Sequence, residues 1–179
     1  MSAQNTQLQQ TVNWLTEPAA TGDGLTPVLH GWLTDPGLLT ARLRKLCGDR
    51  FQLQVLEETI TPQGDMQRRI VLSCGDQACI YAETQLPAST IDANPWLREL
   101  GNDPLGETLQ NRAEVRRDSF EYALLTPEQL PSQIPVPVDA ALWARRYAFN
   151  IGATALTVTE FFLSGVIDCA HNQMQTTNE

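Results

Sequence analysis

Residues 156–163 (LTVTEFFL) alternate with the two-residue period of a β-strand, and their β-branched and aromatic content reinforces that reading. On such a strand Leu156, Val158, Glu160 and Phe162 point to one face. That face is apolar apart from one carboxylate, which is costly to bury unless it is protonated or partnered. Residues 66–72 pose the mirror problem, with Met66, Arg68, Ile70 and Leu72 on one face and Arg68 its only charge. A lone acid and a lone base, each on the apolar face of a separate strand, predict a polar site inside a mostly apolar pocket. From spacing alone, the favoured reading of the two residues is instead structural, an ion pair or charges that reach water at strand ends.

The rest of the chain surrounds these strands with short elements. Residues 1–10 are polar and Gln-rich and are expected to fray. Pro18, Gly22, Gly24 and Pro27 mark residues 17–27 as loop. Leu39, Leu43 and Leu46 recur at helical spacing, with basic residues in the last turns and Gly48 at the end, which predicts an amphipathic helix over 38–47. Residues 51–55 alternate as a strand and 61–65 form a turn. Strands at 66–73 and 78–86 join through Gly75 as a hairpin. Short helices follow at 95–101 and 106–112, then a strand at 116–124 and a Pro-rich surface loop over 127–137. Strands at 143–149 and 155–163 flank a turn, and residues 170–179 read as a disordered tail. About six hairpin-connected strands with few helices predict an α+β fold built on a single antiparallel sheet. The length, 179 residues, predicts one domain over 1–179.

Charge and composition remove several classes of function. A net charge of -9 disfavours nucleic acid, whose phosphates need clustered Lys and Arg. No apolar run approaches the ~20 residues of a membrane span, and the N-terminus lacks the pattern of a signal peptide. A cytoplasmic protein with reduced thiols is therefore expected from its four cysteines, although a Cys74–Cys79 bridge across the hairpin stays open. Only two histidines occur, His30 and His171, the second in the expected tail. Neither a nucleophile-and-base pair, a metal-ligand spacing nor a phosphate-binding loop is evident, so chemistry without metal, nucleotide or covalent intermediate is expected. Arg68 could hold a carboxylate in bidentate fashion, with Glu160 meeting the ligand's other end. Arg69, Arg116, Arg117, Arg145 and Arg146 compete for that role, Arg69 and Arg145 being assigned to other strand faces. Trp143, Tyr147 and Phe149 read as core.

In order along the chain stand Trp32-Leu33 with Leu39, Arg68 before Ile70-Val71-Leu72, Pro87, and Pro104-Leu105-Gly106. Arg117-Asp118, Leu142-Trp143-Ala144-Arg145-Arg146, and Thr159-Glu160 before Phe162-Leu163 follow. With these, the sequence resembles the bacterial chorismate pyruvate-lyases over roughly residues 25–165. The resemblance implies an antiparallel sheet whose short helical flaps bury a ligand pocket, and an enzyme making 4-hydroxybenzoate and pyruvate from chorismate for ubiquinone synthesis. It places the ring-carboxylate anchor at Arg68, the group near the ring hydroxyl at Glu160, and further contacts at Leu39 and Leu105. The family's close-packed glycine falls on Ala82, a departure whose extra methyl narrows the pocket.

Arg146 is the expected cation for the enolpyruvyl carboxylate. Glu160, its pKa raised by an apolar face, would bond or relay a proton at the C4 hydroxyl. The resemblance implies no cofactor, and slow, product-inhibited release is expected through a lid. Chorismate and 4-hydroxybenzoate are the expected partners, with the protein a monomer. The rival reading is a non-catalytic module for aromatic carboxylates, of the kind that serves as the effector domain of bacterial regulators. Such domains normally follow a DNA-binding winged helix, and no such N-terminal segment is expected here.

Overall fold

Two long antiparallel hairpins lie side by side and make the middle of the sheet. In this computed structural model, residues 12–18 and 24–176 are described. The first hairpin is β2 (Met66–Cys74) with β3 (Gln77–Leu86), and the second is β6 (Leu142–Ile151) with β7 (Thr154–Phe162). They join where β3 pairs with β7. On the outer edge of the first hairpin lies β1 (Phe51–Ile60), and β6 carries both β4 (Val115–Arg117) and β5 (Glu121–Leu125). The result is one open antiparallel sheet of seven strands, in the order β1-β2-β3-β7-β6-β4 with β5 also on β6. The α+β expectation holds, with one strand more than expected.

The extra strand comes from a break in the predicted strand at 116–124. At Asp118 the chain leaves the ladder, the carboxylate accepting a bond from the Asn150 amide at 2.7 Å. Phe120 then drops its ring edge-on against Tyr147, 5.1 Å between centroids. β1 also runs to Ile60 rather than 55, because a bulge between Val55 and Glu57 interrupts the alternation that would have revealed its second half.

Helices cover the face that carries Arg68 and Glu160. They are α1 (Pro27–Leu33), α2 (Leu39–Cys47), α3 (Ala88–Ala93), α4 (Leu105–Gln110) and α5 (Ser164–Thr176). α2 buries Leu39, Leu43 and Cys47, one turn apart on one stripe, and ends at Gly48 with φ 56°. Leu33 and Leu43 are fully buried, each contributing about 1.5–3 kcal/mol. Around them Trp32, Leu72, Ile80, Phe162 and Val166 form the core under α1, α2 and α5. A second core lies under α3 and α4, where Ile91, Leu97, Leu105 and Leu109 meet Leu86, Tyr147, Phe149 and Leu156. On the opposite face Tyr81, Ala123, Ala144 and Phe161 pack with Trp14 and with Leu130, Ile134 and Val136 of the Pro-rich loop.

Three sequence expectations need correction. The stretch read as a tail from 170 onward is helical through Thr176, because α5 seats Val166 and Cys169 in the core. Gly165 permits that docking, since a Cβ there would lie 2.3 Å from the Ala78 carbonyl oxygen. The loop read over 17–27 gives way to α1 at Pro27, whose N-cap Thr26 accepts the Leu29 amide. Cys74 is bonded to Cys47, with Cα atoms 5.4 Å apart, rather than left as a thiol or joined to Cys79. Docking of α2 brings Cys47 over the end of β2, a tertiary event with no local signature. Cys79 and Cys169 are free and buried, and burial first, then Cys169 beside it, pushes the Cys79 thiol up to about 12. The polar stretch 1–10, residues 19–23 of the predicted loop, and 177–179 of the tail lie outside the described residues.

Candidate functional site

The sheet register sorts the singled-out residues into rows. Arg68, Thr84, Val158 and Tyr147 lie across from one another on β2, β3, β7 and β6. The next row is Ile70, Ala82, Glu160 and Arg145. Side chains of both rows point to the helix-covered face. Between them and the starts of α2 and α4 lies a cavity of about 50 Å³. Leu39, Ala82, Leu105 and Glu160 all line it, so four residues predicted for the site meet in one place. Ile70, Thr84, Tyr147, Phe149 and Val158 complete its floor, and Leu38 and Gly106 its roof. The roof is tight, as a Cβ on Gly106 would lie 3.0 Å from Leu38 Cδ2.

Glu160 is buried but partnered. Arg145 Nε donates to its Oε2 at 2.6 Å, and the Tyr147 hydroxyl donates to its Oε1 at 3.2 Å. Desolvation first, then the Glu160 charge, raises the Tyr147 pKa well above its ordinary value, so Tyr147 is a neutral donor at physiological pH. The Arg145 side chain is 1% exposed. Its guanidinium also donates to the Leu33 and Asp35 carbonyls, at 3.2 and 2.8 Å, and lies 4.1 Å from the Phe120 ring centroid. Glu160 is thus neither a bare carboxylate nor the partner of Arg68, and the paired cation is one the sequence reading had assigned to another face.

Arg68 is 2% exposed and makes a separate ion pair, Nη1 to Glu58 Oε1 at 2.5 Å. Its Nη2 donates to the Asp103 carbonyl at 3.3 Å, just ahead of α4. It adjoins the cavity through Thr84 rather than lining it. Arg146, expected beside the substrate, is on the opposite face. There it pairs with Glu121 at 2.7 Å and stacks over Trp14. One position along a strand reverses the face, so Arg145 and Arg146 cannot both point inward. Arg69 is also on the far side, bonded to Glu57 and Glu83.

Register was the signal that would have found Arg145. Ile151 and Thr154 close the β6–β7 hairpin, and counting outward six steps from that pair reaches Arg145 and Glu160. The predicted turn over 150–153 was too wide to give this count. Tyr147 and Phe149, read as core, are cavity floor as well. Among the described residues no group of three or more His, Cys, Asp or Glu is placed to hold a metal ion. No described helix is long and apolar enough to cross a membrane.

Fold and site together define an α+β protein that closes helix ends over a small cavity on an antiparallel sheet, with a paired carboxylate in its wall. The family model for chorismate lyase matches residues 8–171. The chain is similar to a probable chorismate pyruvate-lyase of Cupriavidus pinatubonensis (strain JMP 134 / LMG 1197), 34% identical over 167 residues, covering 80% of this chain and 84% of the relative. A second such relative, from Azoarcus sp. (strain BH72), is 31% identical over 183 residues, covering 87% and 92%. A third, from Psychromonas ingrahamii (strain DSM 17664 / CCUG 51855 / 37), is 31% identical over 153 residues, covering 75% and 82%. The chain belongs to the chorismate lyase family.

Proposed function

We propose that this protein is a cofactor-independent chorismate pyruvate-lyase releasing 4-hydroxybenzoate, the aromatic precursor of ubiquinone. The observation that carries the reading is the Glu160 carboxylate, fixed by Arg145 and Tyr147 in the wall of an otherwise largely apolar cavity, in a chain of this family. In the reaction the C3–O bond of chorismate breaks, the enolpyruvyl group leaves as pyruvate, and C4 loses a proton. Aromatisation supplies the driving force. The protein's task is to orient the substrate, stabilise charge on the departing group and handle one proton.

Arg68 anchors the ring carboxylate. Glu58, whose side chain is 40% exposed, holds that guanidinium now, and a ligand carboxylate takes its place as Glu58 swings to water. Glu160 faces the C4 hydroxyl, held still by its two donors. Leu39, Ala82 and Leu105 pack on the ring. The cavity, about 50 Å³, is smaller than the ~300–1,000 Å³ of ordinary ligand pockets, so the roof at Leu38 and Gly106 lifts to admit substrate. Lid opening then limits product release.

Mixing the purified protein with chorismate tests the reading. Equal yields of 4-hydroxybenzoate and pyruvate are expected. Arg68→Met should lose turnover and product affinity together, and Glu160→Gln, which keeps the shape but leaves the Arg145 charge without its partner, should lower turnover per folded molecule as well as stability. A folded protein that binds 4-hydroxybenzoate without turning over chorismate would overturn the lyase reading.

A further inference from the structure

Chorismate bears two carboxylates, and Arg68 answers only one. The second, on the enolpyruvyl arm, must lie at the end of the group that departs. Arg146 is on the wrong face for it, and Arg145 is neutralised by Glu160. Arg117 satisfies the requirements that these two miss.

Arg117 pairs across the ladder with Phe149, which puts its side chain on the cavity's face of the sheet. It lines a cleft of about 280 Å³ beside the cavity. Leu38 and Phe149 line both spaces, so the cleft and the cavity share a wall. The guanidinium is steadied over two rings, 4.7 Å from Phe120 and 5.5 Å from Tyr147, the residue whose hydroxyl bonds Glu160. Eight other arginines form ion pairs, whereas Arg117, among the described residues, has no acidic partner. Its hydrogen-bond acceptor is the neutral Pro36 carbonyl, two residues before the Leu38 roof. Its charge is thus available to an anion entering the cleft. Arg68 on β2 and Arg117 on β4 stand four strand spacings and two residues along the strand apart, about 20 Å at ~4.8 Å per spacing and ~3.4 Å per residue, with two long side chains to narrow the gap.

We propose that Arg117 binds the enolpyruvyl carboxylate of chorismate and thereby positions the leaving group. The proposal rests on the lyase reading above. As the C3–O bond breaks, negative charge grows on the departing arm, and a guanidinium at its carboxylate stabilises that charge where a neutral donor could not. The incoming carboxylate replaces the Pro36 carbonyl as Arg117's acceptor, which frees the segment leading to α2.

The product supplies the test, because 4-hydroxybenzoate has no enolpyruvyl arm. Arg117→Met should lower kcat/KM for chorismate about tenfold to hundredfold, the range for a lost charge-assisted hydrogen bond. It should leave the Kd for 4-hydroxybenzoate, measured by calorimetry, unchanged. Arg117→Lys keeps the charge and should recover part of the loss. Arg68→Met, run alongside, should lose both quantities. If Arg117→Met binds the product as poorly as it turns over chorismate, or turns over chorismate like the parent protein, the proposal fails. Absence of turnover by the parent protein itself would instead overturn the lyase reading.

Discussion

Replacing Arg145 by Met should be among the most damaging single changes in this chain. The substitution keeps apolar bulk but removes the cation bonded to Glu160 at 2.6 Å, in a setting where the arginine side chain is 1% exposed and the glutamate 10%. Breaking a buried ion pair by deleting one partner costs about 3–5 kcal/mol, because the other charge remains buried and uncompensated. That is a large fraction of the ~5–15 kcal/mol that holds a typical domain together. At about 2–4 °C per kcal/mol for a chain of this size, Tm should fall by roughly 6–20 °C. Two further acceptors, the Leu33 and Asp35 carbonyls, lose their donor in the same step. Removing Glu160 as well should restore much of the loss, since an apolar pair replaces a stranded charge. Urea unfolding of Arg145→Met, Glu160→Leu and the double variant gives the coupling directly. The expected double variant is more stable than Arg145→Met alone. Effects that add within about 0.5 kcal/mol would show that the two side chains do not depend on each other, and would refute the reasoning.

Two other expectations concern how the helices are held. Gly165→Ala places a Cβ against the Ala78 carbonyl and should destabilise by about 1–3 kcal/mol, seen as a lower urea midpoint as α5 is pushed off the sheet. Cys47→Ser opens a loop with a sequence separation of 27, and the chain-entropy relation gives a loss of about 3.5 kcal/mol. Thiol titration in denaturant should count two free thiols in the parent protein, Cys79 and Cys169, and three in the variant.

What was legible in the sequence follows the range of each interaction. The hairpins declared themselves because period-two alternation and a tight turn are local. Glu160 and Arg68 stood out for the same reason, each a single charge in an apolar alternation. The partners did not, because pairing depends on register and on which helix lands where. Arg145 sits between Ala144 and Arg146, and nothing local says which of two adjacent arginines points inward. Cys47 and Cys74 meet only after α2 docks, and α5 is held by Val166 and Cys169 within a mostly polar segment that reads as a tail. The resemblance pointed to Leu39, Leu105 and Ala82, which carry no local chemical signal and which line the cavity. Arg146 matched no ligand-contacting position of the family, and the register puts it on the opposite face of the sheet.

The segment before α2 is gripped almost wholly through its backbone. Arg145 takes the carbonyls of Leu33 and Asp35, Arg117 that of Pro36, and Arg42 that of Gly31, adding the Asp35 carboxylate and the Trp32 ring as side-chain contacts. Carbonyls are the same whatever residue bears them. Apart from Trp32 and Leu33, which the core holds, their identity is thus less constrained than their positions, so residues 34–37 should accept changes of residue more readily than a change of length. A single inserted residue would shift every acceptor past its donor and slide Leu38 and Leu39 off the cavity, whereas most substitutions would leave the roof where it is.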